Sequence, residues 1–261
     1  MALTAEGKQL TEANRVGQLA IAAQADIEAR ALWSRLKVAD LDASTPAWMA
    51  ANIAVLRRRF DQSTDLAGSY VGDYREAELG TDAGRIVAPT FSASEEAGVL
   101  LLAGPVRVKL LVGKGMNPDA AHAASLKKFS GIMRRQVLSG GRQLIDLTTE
   151  ADNRAIGWRR VSDGSPCTFC AMLCSRGPVY RSAAVAAPIA GTGLEYHGHC
   201  GCTAEIVYGE WKPTEAEQGY IDDYNRAAQE ANDAGDNRTK STVLPRMRRN
   251  GSFRDSPASA E

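Results

Sequence analysis

The sequence predicts an α+β protein in three parts: a long-helical N-terminal region, a small zinc-stapled α+β module and a flexible C-terminal tail. Three observations point there. Apolar and small residues recur at three- and four-residue steps through most of the first 150 positions, the period of a helix face. All five cysteines and two of the three histidines fall between residues 167 and 202, bracketed by two short runs of strand character. After Asp233 the composition turns to Asp, Asn, Ser, Arg and Gly, too polar to fix a chain by burial.

The elements follow in order. From Thr4 to Leu36, the residues Leu10, Ala13, Gly17, Ala20, Gln24, Ile27 and Ala31 form one stripe of a long, weakly apolar helix. Ser44-Thr45-Pro46 supplies a cap and a first-turn proline for a second long helix, whose buried face reads Met49, Ile53, Leu56, Phe60, Ala67, Tyr70 and Tyr74. The two can pair as an antiparallel hairpin. Gly80 to Pro89 reads as a loop or short strand, Ser94-Glu95-Glu96 opens a third helix toward Ala103, and Pro105 marks a break. Asn117-Pro118 caps a further helix, with Leu126, Phe129, Met133 and Val137 inward and a stop at Gly140-Gly141. His122 on this helix reads as an ordinary packed or surface residue.

Gly157 to Val161 and Thr203 to Tyr208 read as strands around the cysteines. The segment Thr214 to Ala231 reads as an amphipathic helix through Ala216, Tyr220, Tyr224 and Ala227. The expected organisation is a helical region at 1–150, a Cys/His module at 151–211, an amphipathic helix at 212–232 and an unstructured tail at 233–261. Within that tail Leu244 to Asn250 is a basic patch with a few apolar anchors, open to weak nucleic-acid contact.

Composition narrows the function. A chain of 261 residues with 44% hydrophobic content can bury a sizeable core. Lys plus Arg (31) equal Asp plus Glu (31), so the overall field favours neither nucleic acid nor anionic membrane. The most apolar stretch, Gly98 to Val112, is interrupted by Gly104, Pro105, Arg107 and Lys109, short of the roughly 20 apolar residues a bilayer crossing needs. The opening MALTAEGKQLTEANR has acidic residues and no long apolar run, unlike a secretory signal.

The chemistry sits in the cluster. Cys167-Thr-Phe-Cys170 is a C-x2-C knuckle after the turn-forming Asp163-Gly-Ser-Pro166, and His197-Gly-His-Cys200-Gly-Cys202 packs four donors around two flexible glycines. Thiolate with imidazole in tetrahedral array suits zinc, and the donors suffice to close its shell. The expected quartet is Cys167, Cys170, His197 and one of Cys200 or Cys202. A disulfide pair, a redox C-x2-C, or a catalytic zinc with an open corner beside a base such as Glu195 are the competing readings.

The runs Asp163 to Tyr180 and Tyr196 to Thr203 resemble the C-terminal signature of Mu F-like phage head proteins, in the form carried by tailed phages of actinobacteria, over roughly residues 1 to 210. The matched positions are Cys167, Cys170, His197, Cys200 and Cys202, with Ser175-Arg176-Gly177; Cys174 and His199 depart from the pattern. The resemblance implies a minor capsid protein acting in procapsid assembly beside the portal, present in the host cytoplasm during assembly and in the virion head. Its partners would be the portal and the major capsid or scaffold protein, with Arg176 and Tyr180 on the contact surface. Relatives are often labelled capsid maturation proteases, which is the alternative. The sequence holds neither H-E-x2-H nor G-x-S-x-G; a serine protease would have to recruit His122 or take His197 or His199 from the cluster, and a Cys-His enzyme would draw on Cys174 and His199.

Overall fold

In the computed structural model, which describes residues 2–82, 84–179 and 196–256, three long helices carry the fold. Helix α1 (Ala5–Trp33) starts where the Thr4 hydroxyl accepts the Gly7 amide, and α2 (Leu41–Leu79) ends at Gly80, whose φ of 69° gives a left-handed cap. Two short helices follow, α3 (Ala93–Ala103) and α4 (Pro105–Gly113), then α5 (Pro118–Ala151), capped by Asn117. Pro105 breaks the chain as expected and then serves as the first residue of α4, where its missing N–H costs nothing. Helices α1 and α2 run antiparallel, with Glu28 bonded to Arg58 and Arg59 toward one end and the amides of Leu3 and Thr4 bonded to Glu78 at the other. Helix α5 packs against both.

Three expectations are corrected here. The inward face of α1 is Thr11, Asn14, Gln18, Ala22, Ala25 and Ala29, one step round from the predicted stripe, and Ile27 is 61% exposed. The polar members can be buried because each side chain is paired: Gln18 donates to the Ser63 carbonyl and accepts from its hydroxyl, and Thr11 meets Tyr70 and Glu205. Helix α2 begins a turn early, because Asp40 accepts the Ala43 amide ahead of the predicted Ser44 cap. Helix α5 runs straight through Gly140-Gly141. A Cβ on Gly140 would lie 2.7 Å from the Phe60 carbonyl oxygen, and one on Gly141 would lie 3.0 Å from that of Ser63, so these glycines mark close helix contact.

Strands β1 (Gly157–Val161) and β2 (Thr203–Val207) form an antiparallel pair with Gly157 opposite Val207 and Val161 opposite Thr203. Helix α6 (Thr168–Cys174) leads out of the first cysteine knuckle. Helix α7 (Glu215–Asp233) opens on a Thr214–Glu217 capping box. Residues 240–250, expected to lack fixed structure, form helix α8 (Lys240–Asn250). Its Val243 and Met247 are buried, as is Phe253 beyond it, so three spaced apolar anchors suffice where average composition argued otherwise. Arg246, Arg248 and Arg249 in this basic stretch pair with Asp236, Asp255 and Glu230.

The core falls into two main clusters. One joins Trp33, Trp48, Leu56, Leu100, Val108 and Phe129 at the α3–α4 end of the bundle. The other crosses the expected boundary at residue 150, packing Tyr70, Tyr74 and Leu144 of the long helices against Trp158, Leu173, Ile206, Ala227 and Met247. The Cys/His module therefore shares its core with α2 and α5. No helix among the described residues is long and apolar enough to cross a membrane.

Candidate metal centre

Cys167 stands at the N-cap of α6, its sulfur accepting the Cys170 amide at 3.4 Å, so the knuckle and the helix start are one structure. Gly164, with φ of 87°, makes the turn before it. On the other side Cys200 and Cys202 lead into β2. Gly201 between them approaches Asp163 so closely that a Cβ would lie 2.5 Å from its carboxylate oxygen. The two motifs, distant in sequence, thus face each other across a glycine-lined seam.

The donor atoms converge. His197 Nε2 is 2.9 Å from Cys167 Sγ and 3.4 Å from Cys170 Sγ, and Cys170 Sγ is 3.4 Å from Cys200 Sγ. Cys167, Cys170 and His197 form one triad with all donor atoms within 4.8 Å; Cys170, Cys200 and Cys202 form a second. Tetrahedral zinc with bonds of about 2.3 Å to sulfur separates sulfur ligands by about 3.8 Å, so the Cys170–Cys200 pair is near that edge, while the 2.9 Å Cys167–His197 hydrogen bond would open to admit an ion. No disulfide joins any of the five cysteines. His197 Nδ1 donates to the Gly198 carbonyl at 2.7 Å, which turns Nε2 toward the sulfurs, where it can serve as a ligand once its proton is lost.

The surroundings suit a thiolate-bound cation. Hydrogen bonds from the Cys170 thiol and amide and from His197 pull the Cys167 thiol down to about 5, against its burial. A hydrogen bond to Cys202, with burial, pushes the Cys174 thiol up. Arg142 of α5, buried, donates through Nη2 to the carbonyls of Cys200 (2.9 Å) and Cys202 (2.7 Å). Its guanidinium lies 3.5 Å from the Tyr196 ring centre, and that of Arg160 lies 3.7 Å from the same ring. Two cationic groups therefore stand behind the sulfurs and offset the charge of the thiolates.

All five predicted ligands are brought together. Arg176 lies half-buried just after α6, while Tyr180 and Glu195 lie outside the described residues. His122 Nε2 bonds the Leu36 carbonyl at 3.1 Å and its ring packs on Trp33, a structural setting. His199, with φ of 64°, is exposed and set against Lys127 and Gly131, whereas Cys174 is turned toward Cys202; a Cys174–His199 pair is not among the described contacts. Sequence reasoning missed Arg142, Arg160 and Tyr196, since nothing local marks an arginine that will be buried. It also missed Arg254, which ties the end of the chain to Asp163, Ser165 and His199.

Fold and site together define a mostly helical protein with a small two-stranded sheet and a Cys/His cluster able to hold a metal. The chain belongs to the VG15 protein family, whose profile matches residues 5–231. That is a viral gene family, and it points to a phage protein. No curated protein and no solved structure matches the chain.

Proposed function

We propose that this phage protein is a minor capsid protein acting in procapsid assembly next to the portal, with zinc as a structural staple. The observation that carries the proposal is the donor cluster: four thiols and an imidazole gathered in a largely buried seam between α6 and β2, backed by two arginines. Cys167, Cys170, His197 and one of Cys200 or Cys202 would hold the ion, which supplies a fixed crosslink between the two halves of the module. The resemblance of the motif to Mu F-like head proteins supports the assembly role, and the viral family supports a phage protein.

The helical region offers a docking surface suited to the portal or to the capsid and scaffold proteins. Leu102 (65% exposed), Val106, Leu110 and Met116 are exposed apolar side chains along α3, α4 and the turn that follows. In the infected host the protein would pass from cytoplasm to virion head. Purified procapsids and mature heads test this. The expected result is that the protein co-purifies with portal-containing procapsids, and that Leu102→Glu/Leu110→Glu abolishes its incorporation while the free protein still folds. Its absence from procapsids and heads would overturn the assembly role. Head or scaffold cleavage that stops when Cys174 or His199 is replaced, with folding preserved, would move the reading to the protease.

A further inference from the structure

The donor motifs are also held from outside, by the segment that follows α8. Phe253 buries its ring in the shared core with Met247 and Tyr220, and Ser256 closes the turn by accepting the Phe253 amide. Between these anchors Arg254 and Asp255 reach the cysteine seam. The Arg254 amide donates to the Pro166 carbonyl at 3.1 Å, and its guanidinium bonds the Asp163 carboxylate at 2.6 Å and the His199 carbonyl at 3.3 Å. Asp255 accepts the Thr168 amide and hydroxyl, both at 2.8 Å, and is itself held by Arg248 at 3.0 Å. Two residues thus grip the positions on either side of Cys167 and cross to the loop between His197 and Cys200. Cys167 is also the one cysteine of the five that is not buried.

We propose that residues 253–256 form a clasp that holds the two donor motifs together and limits access through Cys167, so that metal ions and thiol reagents reach the seam at the rate at which the clasp opens. For metal exchange the inference rests on the structural-zinc reading; for thiol access it does not. The build of the segment suits local opening. Its base is fixed, with Phe253 3% exposed, while the Arg254 and Arg248 side chains that make its ion pairs are each 41% exposed. Water competes for such pairs, so releasing them costs less than unfolding the core on which Phe253 sits. Because Arg254 bonds both motifs, its release frees one from the other.

The test is site-resolved alkylation of the full chain, reduced and stripped of metal, with N-ethylmaleimide and peptide mass spectrometry, folding being followed by circular dichroism. In the wild type Cys167 should react more slowly than in the urea-unfolded chain. Arg254→Ala and Asp255→Ala should each speed Cys167 by about tenfold, the factor that losing a charge-assisted hydrogen bond implies, and leave Cys174, buried at the end of α6, at its wild-type rate. Arg249→Ala, which removes only the exposed pair with Glu230, should change nothing. A parallel arm loads zinc and times its transfer to a chelator, expected to quicken in the same two variants. Wild-type Cys167 as reactive as in urea, unchanged rates in both variants, or equal acceleration at all five cysteines would overturn the clasp, the last because general loosening exposes every thiol alike. Folded protein that never takes up zinc overturns the staple and leaves the clasp to be decided by alkylation.

Discussion

Arg142 shows at the scale of one side chain how the long helices grip the cysteine seam. Its guanidinium closes on two carbonyls of the Cys200–Cys202 turn and on the face of Tyr196, none of which a smaller side chain can reach. Replacing it by Ala leaves buried acceptors unpaired, at a cost of about 1–3 kcal/mol for each group stranded, and frees the turn that carries two ligands. The expected outcome is a lower melting temperature together with faster zinc transfer to a colorimetric chelator. Arg142→Lys should restore only part of either, because an ammonium lacks the second donor, Nε, that bonds the Cys202 carbonyl and the planar face that stacks on Tyr196. A second residue-scale case concerns acid. Asp152 bonds Arg75 at 2.8 Å at the C-terminal cap of α5. Burial raises its pKa, but the Arg75 hydrogen bond, the Arg154 amide and the Arg75 charge outweigh that and hold it below the ordinary 3.8. The folded state thus binds this proton more weakly than the unfolded chain. Its contribution is complete above pH 3.8 and is lost as the pH falls through the depressed value. Asp152→Asn should therefore lower stability at neutral pH and flatten the acid limb of a melting-temperature profile. An unchanged profile would show that the pair contributes nothing.

Elements are where the sequence was read best and where its blind spots are clearest. The strands, the cap at Asn117, the amphipathic helix after Thr214 and all five proposed ligands could be read because each depends on neighbours a few positions away. The face of α1 could not, since Gln18 is buried only because Ser63 of α2, distant in sequence, meets it with a carbonyl and a hydroxyl, and Asn14 in turn accepts from Gln18. Gly140-Gly141 misled for a related reason: a pair that usually ends a helix here lets two helices touch. On helix propensity alone Gly141→Ala gains roughly 1 kcal/mol. Its Cβ would lie 3.0 Å from the Ser63 carbonyl oxygen and 2.6 Å from Gln18 Nε2, so overpacking of about 1–3 kcal/mol should win. A melting temperature at or above wild type would refute that. Helix α8 gives the complementary case, where burial rescues a polar segment. Met247→Ala should cost about 2–5 kcal/mol if the helix is docked as described, and almost nothing if the tail is loose.

Across the whole molecule the question is whether the metal staples a detachable module or the entire fold. The cluster that contains Trp158, Ala171 and Ile206 of the module also contains Tyr74, Leu144 and Met247, and Glu205 of β2 reaches Thr11 of α1 while its other oxygen holds Arg159. Arg159 in turn pairs with Glu217 of α7, so one buried polar network joins four elements drawn from both sides of residue 150. Energy lost at the cysteines is therefore not confined there. A module packed only on itself would melt separately and leave the helical signal unchanged. Here, chelation of zinc under reducing conditions should shift a single calorimetric transition downward, with far-ultraviolet and near-ultraviolet circular dichroism moving together. Each 1 kcal/mol of lost metal binding corresponds to about 2–4 °C for a chain of this size. Two separated transitions, with the one carrying most of the helical signal indifferent to chelator, would show that the shared core does not couple the halves. The long helices would then have to be regarded as folding without the ion.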